Sequence, residues 1–135
     1  MSQEPERQLP QIDYGKKEIS QLLEGARNGE ISFEEGAVRQ LAGEVEQLIA
    51  AIASARPNMD MAKQTKGFGG FESAHELAAG FAWKANEGHS VLDQLITGSL
   101  DLEEGILRAA NMIPAIDEIN KSRINLAKGN LGGAQ

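Results

Sequence analysis

At 135 residues the chain is the size of one domain, and its 20 acidic against 13 basic residues give a formal net charge of −7. That charge repels nucleic acid and anionic membrane, and no run of about 18 apolar residues is present to span a bilayer, so neither nucleic-acid binding nor a membrane span is expected. With no cysteine, disulfides, thiolate catalysis and Cys-based metal sites are excluded together, while scarce aromatics and abundant Ala, Leu, Ile and Glu suit helical bundles.

Residues 1–10 (MSQEPERQLP) are polar and acidic and read as a disordered lead-in. They hold no apolar core of a signal peptide, so export by the general secretory route is not expected. A short helix is expected over 11–27, where Ile12, Ile19, Leu22, Leu23 and Ala26 share a face interrupted by Gly15 and Asn28-Gly29 supplies the stop. Ser32-Phe33-Glu34-Glu35 has the form of a capping box, in which Ser and the Glu three positions on satisfy free backbone N–H groups. From there Val38, Leu41, Val45, Leu48, Ile49 and Ile52 mark a narrow apolar stripe, and Pro57 is expected to close the helix near Arg56.

Residues 57–71 read as a connector kept from helicity by Gly67, Gly69 and Gly70, with Phe68 and Phe71 folding back onto the end of the helices. A phosphate-binding loop would need a strand before it and Lys-Ser/Thr after it, and neither is present.

A long helix is expected over 73–113, opening on a second capping box, Ser73-Ala74-His75-Glu76. Leu77, Phe81, Ala85, Gly88, Leu92, Leu95, Ser99, Leu102, Ile106, Ala109, Ile113 and Ile116 follow steps of mostly three and four, the rhythm of a helix lying along another. A flanking row of Ile96, Leu100, Leu107 and Ala110 widens the apolar arc to roughly half the circumference, against ~100° for an ordinary surface helix. Such a helix must meet more than one neighbour. Gly88 lies on the arc, where a missing side chain admits close approach, and Pro114 kinks or ends the helix. A final helix is expected over 115–127, followed by a flexible tail, 128–135.

The fold expected is therefore all-α. A single domain over 11–125 would contain an antiparallel helical hairpin preceded by a short N-terminal helix. Because the second long helix has more apolar surface than one contact hides, dimerisation completing a four-helix bundle is expected. The residues assigned to that partner interface are Trp83, Leu92, Ile96, Leu100, Glu103 and Leu107.

Signals for chemistry are few. His75 and His89, the two histidines, would lie ~21 Å apart on one helix and cannot share a metal within the chain. His89, at the edge of the arc, reads as interface packing, and Asp101 and Glu104 read as a solvated face. No nucleophile–base–orienter set is present, so neither an enzyme, a cofactor nor a metal is expected. Lys84 and Glu103 intrude on the apolar arc: either their stems snorkel with the heads in water, or Glu103 meets a cation of a partner chain and fixes register. Trp83 falls in the middle of the polar side, where it either covers the end of the helices near Phe68 and Phe71 or is presented to a partner.

A capped amphipathic helix, a Gly-Phe-Gly-Gly-Phe connector and a second helix carrying Leu77, Phe81, Lys84, Ala85, Leu92 and Arg108-Ala109-Ala110 together resemble the ESAT-like/WXG superfamily. These are helical-hairpin proteins that travel through the type VII (ESX) secretion systems of actinobacteria, and the likeness, over residues 30–120, is to the longer Esp-type branch. The Trp-X-Gly turn of that family is absent, since Trp83 is followed by Lys84-Ala85. At the place of its Tyr-x-x-x-Asp/Glu export signal stand Ile113 and Asp117, a degenerate form with Pro114 between them. The resemblance implies a non-enzymatic, type VII-associated small substrate or targeting partner, acting as a homodimer or as a heterodimer with a related helical chain and exported without a signal peptide. The weakened signal leaves open a cytosolic adaptor or immunity-type protein that binds one partner and stays in the cell.

Overall fold

The computed structural model describes residues 8–62 and 69–129. They form four helices and, among the described residues, no strand: α1 (Lys16–Arg27), α2 (Glu35–Ala62), α3 (Glu72–Ala109) and α4 (Ile113–Ala127). α3, with 38 residues, is the spine. It contacts each of the other three, and they touch it rather than one another along their backbones.

The helix ends depart from the spacing-based expectation for definite reasons. α1 starts at residue 16 rather than 11 because the preceding segment is held on α3 by side-chain bonds. The Gln94 amide donates to the Pro10 carbonyl at 2.6 Å, and its oxygen accepts from the Ile12 N–H at 2.9 Å. Gly15, at φ 87°, then turns the chain into the helix. α1 stops as Asn28-Gly29 foretold. Gly29 takes φ 73°, its N–H reaches the Ala26 carbonyl, and the Glu30 N–H reaches the Gly25 carbonyl at 2.8 Å, which closes a Schellman turn.

α2 does not end before Pro57 but carries it inside the helix to Ala62. The ring removes a backbone bond and crowds the preceding turn, which costs ~3 kcal/mol in isolation. Tertiary contacts offset this on both sides of the proline. Arg56 pairs with Asp93 of α3 at 2.9 Å, Asp60 faces His89, and the Met59 thioether lies over Gly88, where an added Cβ would sit only 2.8 Å from its sulfur. Gly88 thus does admit a close neighbour, and that neighbour is the chain's own α2.

Neither capping box forms as expected. α2 begins at Glu35, so Ser32 stands outside it, and the Phe33 N–H instead donates to the Ala109 carbonyl at 2.8 Å. α3 begins at Glu72 with Phe71 as its cap residue, which places Ser73 inside the first turn.

α3 ends at Ala109, before Pro114 is reached. Asn111 adopts the left-handed conformation at φ 58°, the Met112 N–H bonds to the Leu107 carbonyl at 2.9 Å, and the chain reverses into α4. Pro114 then occupies the first turn of α4, where its missing N–H costs little.

The core lies on the second half of α3. Val38, Ala42, Val45, Ile49 and Ala53 of α2 and Ile116 and Ile119 of α4 meet Ile96, Leu100, Ile106 and Leu107. On α2 the buried line runs through the alanines rather than through Leu41 and Leu48, which are 43% and 52% exposed.

Candidate functional site

Four of the six residues assigned to a partner interface are sealed inside the chain. Ile96, Leu100, Glu103 and Leu107 are at most 3% exposed, covered by the protein's own α2 and α4, and this corrects their assignment to a second molecule. The apolar arc of α3 is wide because three helices of the same chain share it. From Glu103 to Leu107 every successive residue is buried, so no side of the helix is left wet there. Trp83 and Leu92 are partly buried, and Trp83 is engaged by neighbouring groups.

Asp101 and Glu104 are not a solvated face either. Glu104, 5% exposed, accepts from Arg108 at 2.6 Å, from Arg123 of α4 at 2.6 Å and from Arg27 of α1 at 3.3 Å. Arg123 also donates to Asp101 at 2.7 Å. Burial alone would raise the Glu104 pKa, but the bonds and charges of Arg108 and Arg123 outweigh it and hold the carboxyl below its ordinary value. This cluster ties α1 and α4 to α3. Sequence could show one strand of it, the Glu104–Arg108 pair one turn apart; the other two arginines come from distant helices.

A second polar tie joins α2 to α3. The Asp93 carboxylate sits between the buried Arg56 guanidinium, at 2.9 Å, and His89 Nδ1, at 3.4 Å, while His89 Nε2 lies 3.6 Å from Asp60. His89 therefore packs within the chain between two carboxylates. It borders an open cavity of about 350 Å³ beside the segment before α1, lined also by Tyr14, Ser90 and Gln94. The adjacent hydroxyl, Ser90, accepts from Gln94 at 3.3 Å.

Glu103 lies in a different setting from its neighbour Glu104. It does not snorkel: the residue is 1% exposed, and neither carboxyl oxygen has a hydrogen-bond partner. It lies on a cleft of about 270 Å³ between α2, α3 and α4, with Arg39, Ala42 and Glu46 on one wall and Met112, Ala115 and Glu118 on the other. Burial foremost, and then the nearby Glu46 carboxylate, push the Glu103 pKa up to about 8. Glu103 and Glu46 face each other as acceptors when both are ionised, and a proton shared between the two carboxyls joins them.

The first turns of α3 show the opposite character. Phe71, Leu77 and Phe81 are 80%, 49% and 51% exposed, and Leu77, Gly80 and Phe81 form a shallow apolar depression edged by Glu76 and Lys84. Phe71 does not fold back on the helices, and Phe68 lies outside the described residues. Lys84 does keep its head in water, 3.3 Å from Glu87. Ile113 and Asp117, at the place of the degenerate export signal, are both exposed one turn apart on α4.

Among the described residues no group of three or more His, Asp or Glu is arranged to hold a metal ion, and no helix is long and apolar enough to cross a membrane. Comparison with protein-family models, with curated proteins and with solved structures gave no match.

Proposed function

We propose that the chain is a non-enzymatic interaction protein, a type VII secretion-associated small substrate or targeting partner that works by helix–helix association as a homodimer or with a related helical chain. One observation carries the association: the first turns of α3 hold Leu77 and Phe81 half-exposed on one face, an apolar patch of the kind that marks contact sites on soluble proteins. The contact surface moves accordingly from Ile96–Leu107, which the chain uses for itself, to the stretch around Leu77 and Phe81. There a second antiparallel hairpin would complete a four-helix arrangement. The type VII assignment rests on the residue-level resemblance over 30–120.

Sedimentation velocity at micromolar concentration tests this reading. The expected result is a dimer, or a complex with a co-expressed related chain, that Leu77→Glu with Phe81→Glu dissociates without loss of helicity. A chain that stays monomeric and captures no helical partner would overturn it.

The second reading, an adaptor retained in the cytosol, is favoured by one observation. The exposed Ile113–Asp117 face of α4 offers an aliphatic group where the family's signal has tyrosine. Blotting culture supernatant against lysate, with and without the secretion ATPase, separates the two: ATPase-dependent appearance outside supports the first, retention the second.

A further inference from the structure

Glu103 is a buried carboxyl for which the fold has no use. Glu104 anchors two helices, whereas the polar neighbour of Glu103 is another carboxyl, Glu46, and among the described residues no cation pairs with it. Leaving a group of this kind in the core costs stability unless something satisfies it. The charges facing the cleft indicate what could. Arg39 is already taken by Glu35 at 2.6 Å, and Glu118 by Lys121 at 3.1 Å. The two carboxyls not paired with a cation are therefore Glu103, at the floor, and Glu46, on the α2 wall. An anion would meet the negative charge this acidic pair shares and be repelled. Between them the cleft is lined by Ala42, Leu107, Met112 and Ala115, so its body is apolar while its end is acidic.

We propose that this cleft binds a primary alkylammonium group, with its charged head between Glu103 and Glu46 and its aliphatic stem along Leu107, Met112 and the two alanines. An ammonium supplies three donors, enough for both carboxylates, and its interaction with each is charge-assisted. A volume of about 270 Å³ falls just below the usual ligand-pocket range of ~300–1,000 Å³, which suits an amine of a few carbons rather than a nucleotide or a lipid. The same chemistry is offered by a free small amine and by the side chain of a partner's lysine. The site is independent of association through Leu77 and Phe81, which lie in the first turns of α3, more than five helical turns from Glu103.

The test is an NMR titration of the isotope-labelled full chain with n-butylammonium chloride and, separately, with Nα-acetyl-lysine N-methylamide. The probes are the Leu107 and Met112 methyl groups and the Glu103 carboxyl carbon. Saturating shifts are expected, and the Glu103 titration midpoint should fall from about 8, since a bound cation favours its anion. Glu103→Gln and Glu46→Gln, each checked for unchanged helicity, should weaken binding by about tenfold or more. Tighter binding of the lysine amide assigns the head group to a partner's lysine; equal or tighter binding of butylammonium assigns it to a free amine; either supports the site. No saturation by either amine up to about 10 mM, variants that bind within about twofold of the parent, or n-butanol binding as well as the amine would overturn it.

Discussion

The two ends of α3 are built from the same kinds of residues at the same spacing, yet one is enclosed and the other is open. Between Ile96 and Ala109 the helix is wrapped by α1, α2 and α4, and even two glutamates are taken inside. Between Glu72 and Phe81 the same rhythm leaves Leu77 and Phe81 half in water. The residues of α2 and its lead-in placed against α3 run from Phe33, beside Ala109, to Asp60, beside His89, and α3 continues for about 25 Å beyond that point at 1.5 Å per residue. Heptad spacing specifies which side of a helix is apolar; what covers that side depends on how far the neighbouring helices reach.

The sharpest way to break this comparison is to truncate equivalent leucines. Leu100→Ala, at a site 1% exposed, should cost about 2–5 kcal/mol in urea unfolding. Leu77→Ala should cost less than about 1 kcal/mol and act chiefly on association. Equal costs would mean that both ends are cores. Next in size is Glu104→Ala, which strands Arg27, Arg108 and Arg123. Because those arginines are 57%, 28% and 30% exposed, the loss should be about 2 kcal/mol rather than the ~3–5 of a fully buried pair. Glu35→Gln, which removes the exposed pair with Arg39, should change stability by less than about 0.5 kcal/mol.

Glycines sharpen the contrast further. A Cβ on Gly98 would run into the Tyr14 ring, and one on Gly80 would meet nothing within 4 Å. Gly98→Ala should therefore destabilise by about 1–3 kcal/mol by forcing Tyr14 and the segment before α1 off the spine. Gly80→Ala should stabilise by up to ~1 kcal/mol through helix propensity alone. Thermal unfolding of the two variants reads opposite signs from the same substitution on one helix.

The all-helical character and the separation into four segments were legible from spacing, as were the width of α3's arc and the stop at Asn28-Gly29. What was not legible depended on tertiary partners. Pro57 reads as a helix end in any single sequence, and here Arg56, Met59 and Asp60 hold the helix together across it through Asp93, Gly88 and His89. The excess of apolar surface on α3 is visible in the spacing, but spacing cannot tell a neighbour in the same chain from one in another, so by itself it points Ile96, Leu100 and Leu107 outward. The Glu104 cluster is not legible in the sequence beyond Arg108, because its other two arginines come from residues 27 and 123, far apart in the chain. Asn111 carried a signal that could have been used, since asparagine is the commonest substitute for glycine in a left-handed cap, and it ends α3 before Pro114 can.

Within the enclosed end, neighbouring glutamates should respond to pH in opposite directions, and this gives the smallest effect with the most specific signature. Glu104 is held below its ordinary pKa, so its contribution is present above about pH 4.5 and is lost as pH falls through its folded value. Glu103 is raised from 4.5 to about 8, facing Glu46 and Arg39 from α2 and Glu118 from α4. Between those two pH values the folded chain keeps a proton that the unfolded chain has lost, so stability falls as pH rises, by at most about 1.4 kcal/mol per unit. Glu103→Gln mimics the protonated form and can donate to Glu46, so its unfolding midpoint should gain on the parent from about pH 4.5 to about pH 8 and run parallel to it above that. Glu104→Gln should show its gap to the parent closing only below about pH 4.5. A Glu103→Gln gain that does not vary with pH would mean that Glu103 is ionised alike in the folded and unfolded chain. The difference between two adjacent carboxyls would then lie in packing rather than in the charges that face them.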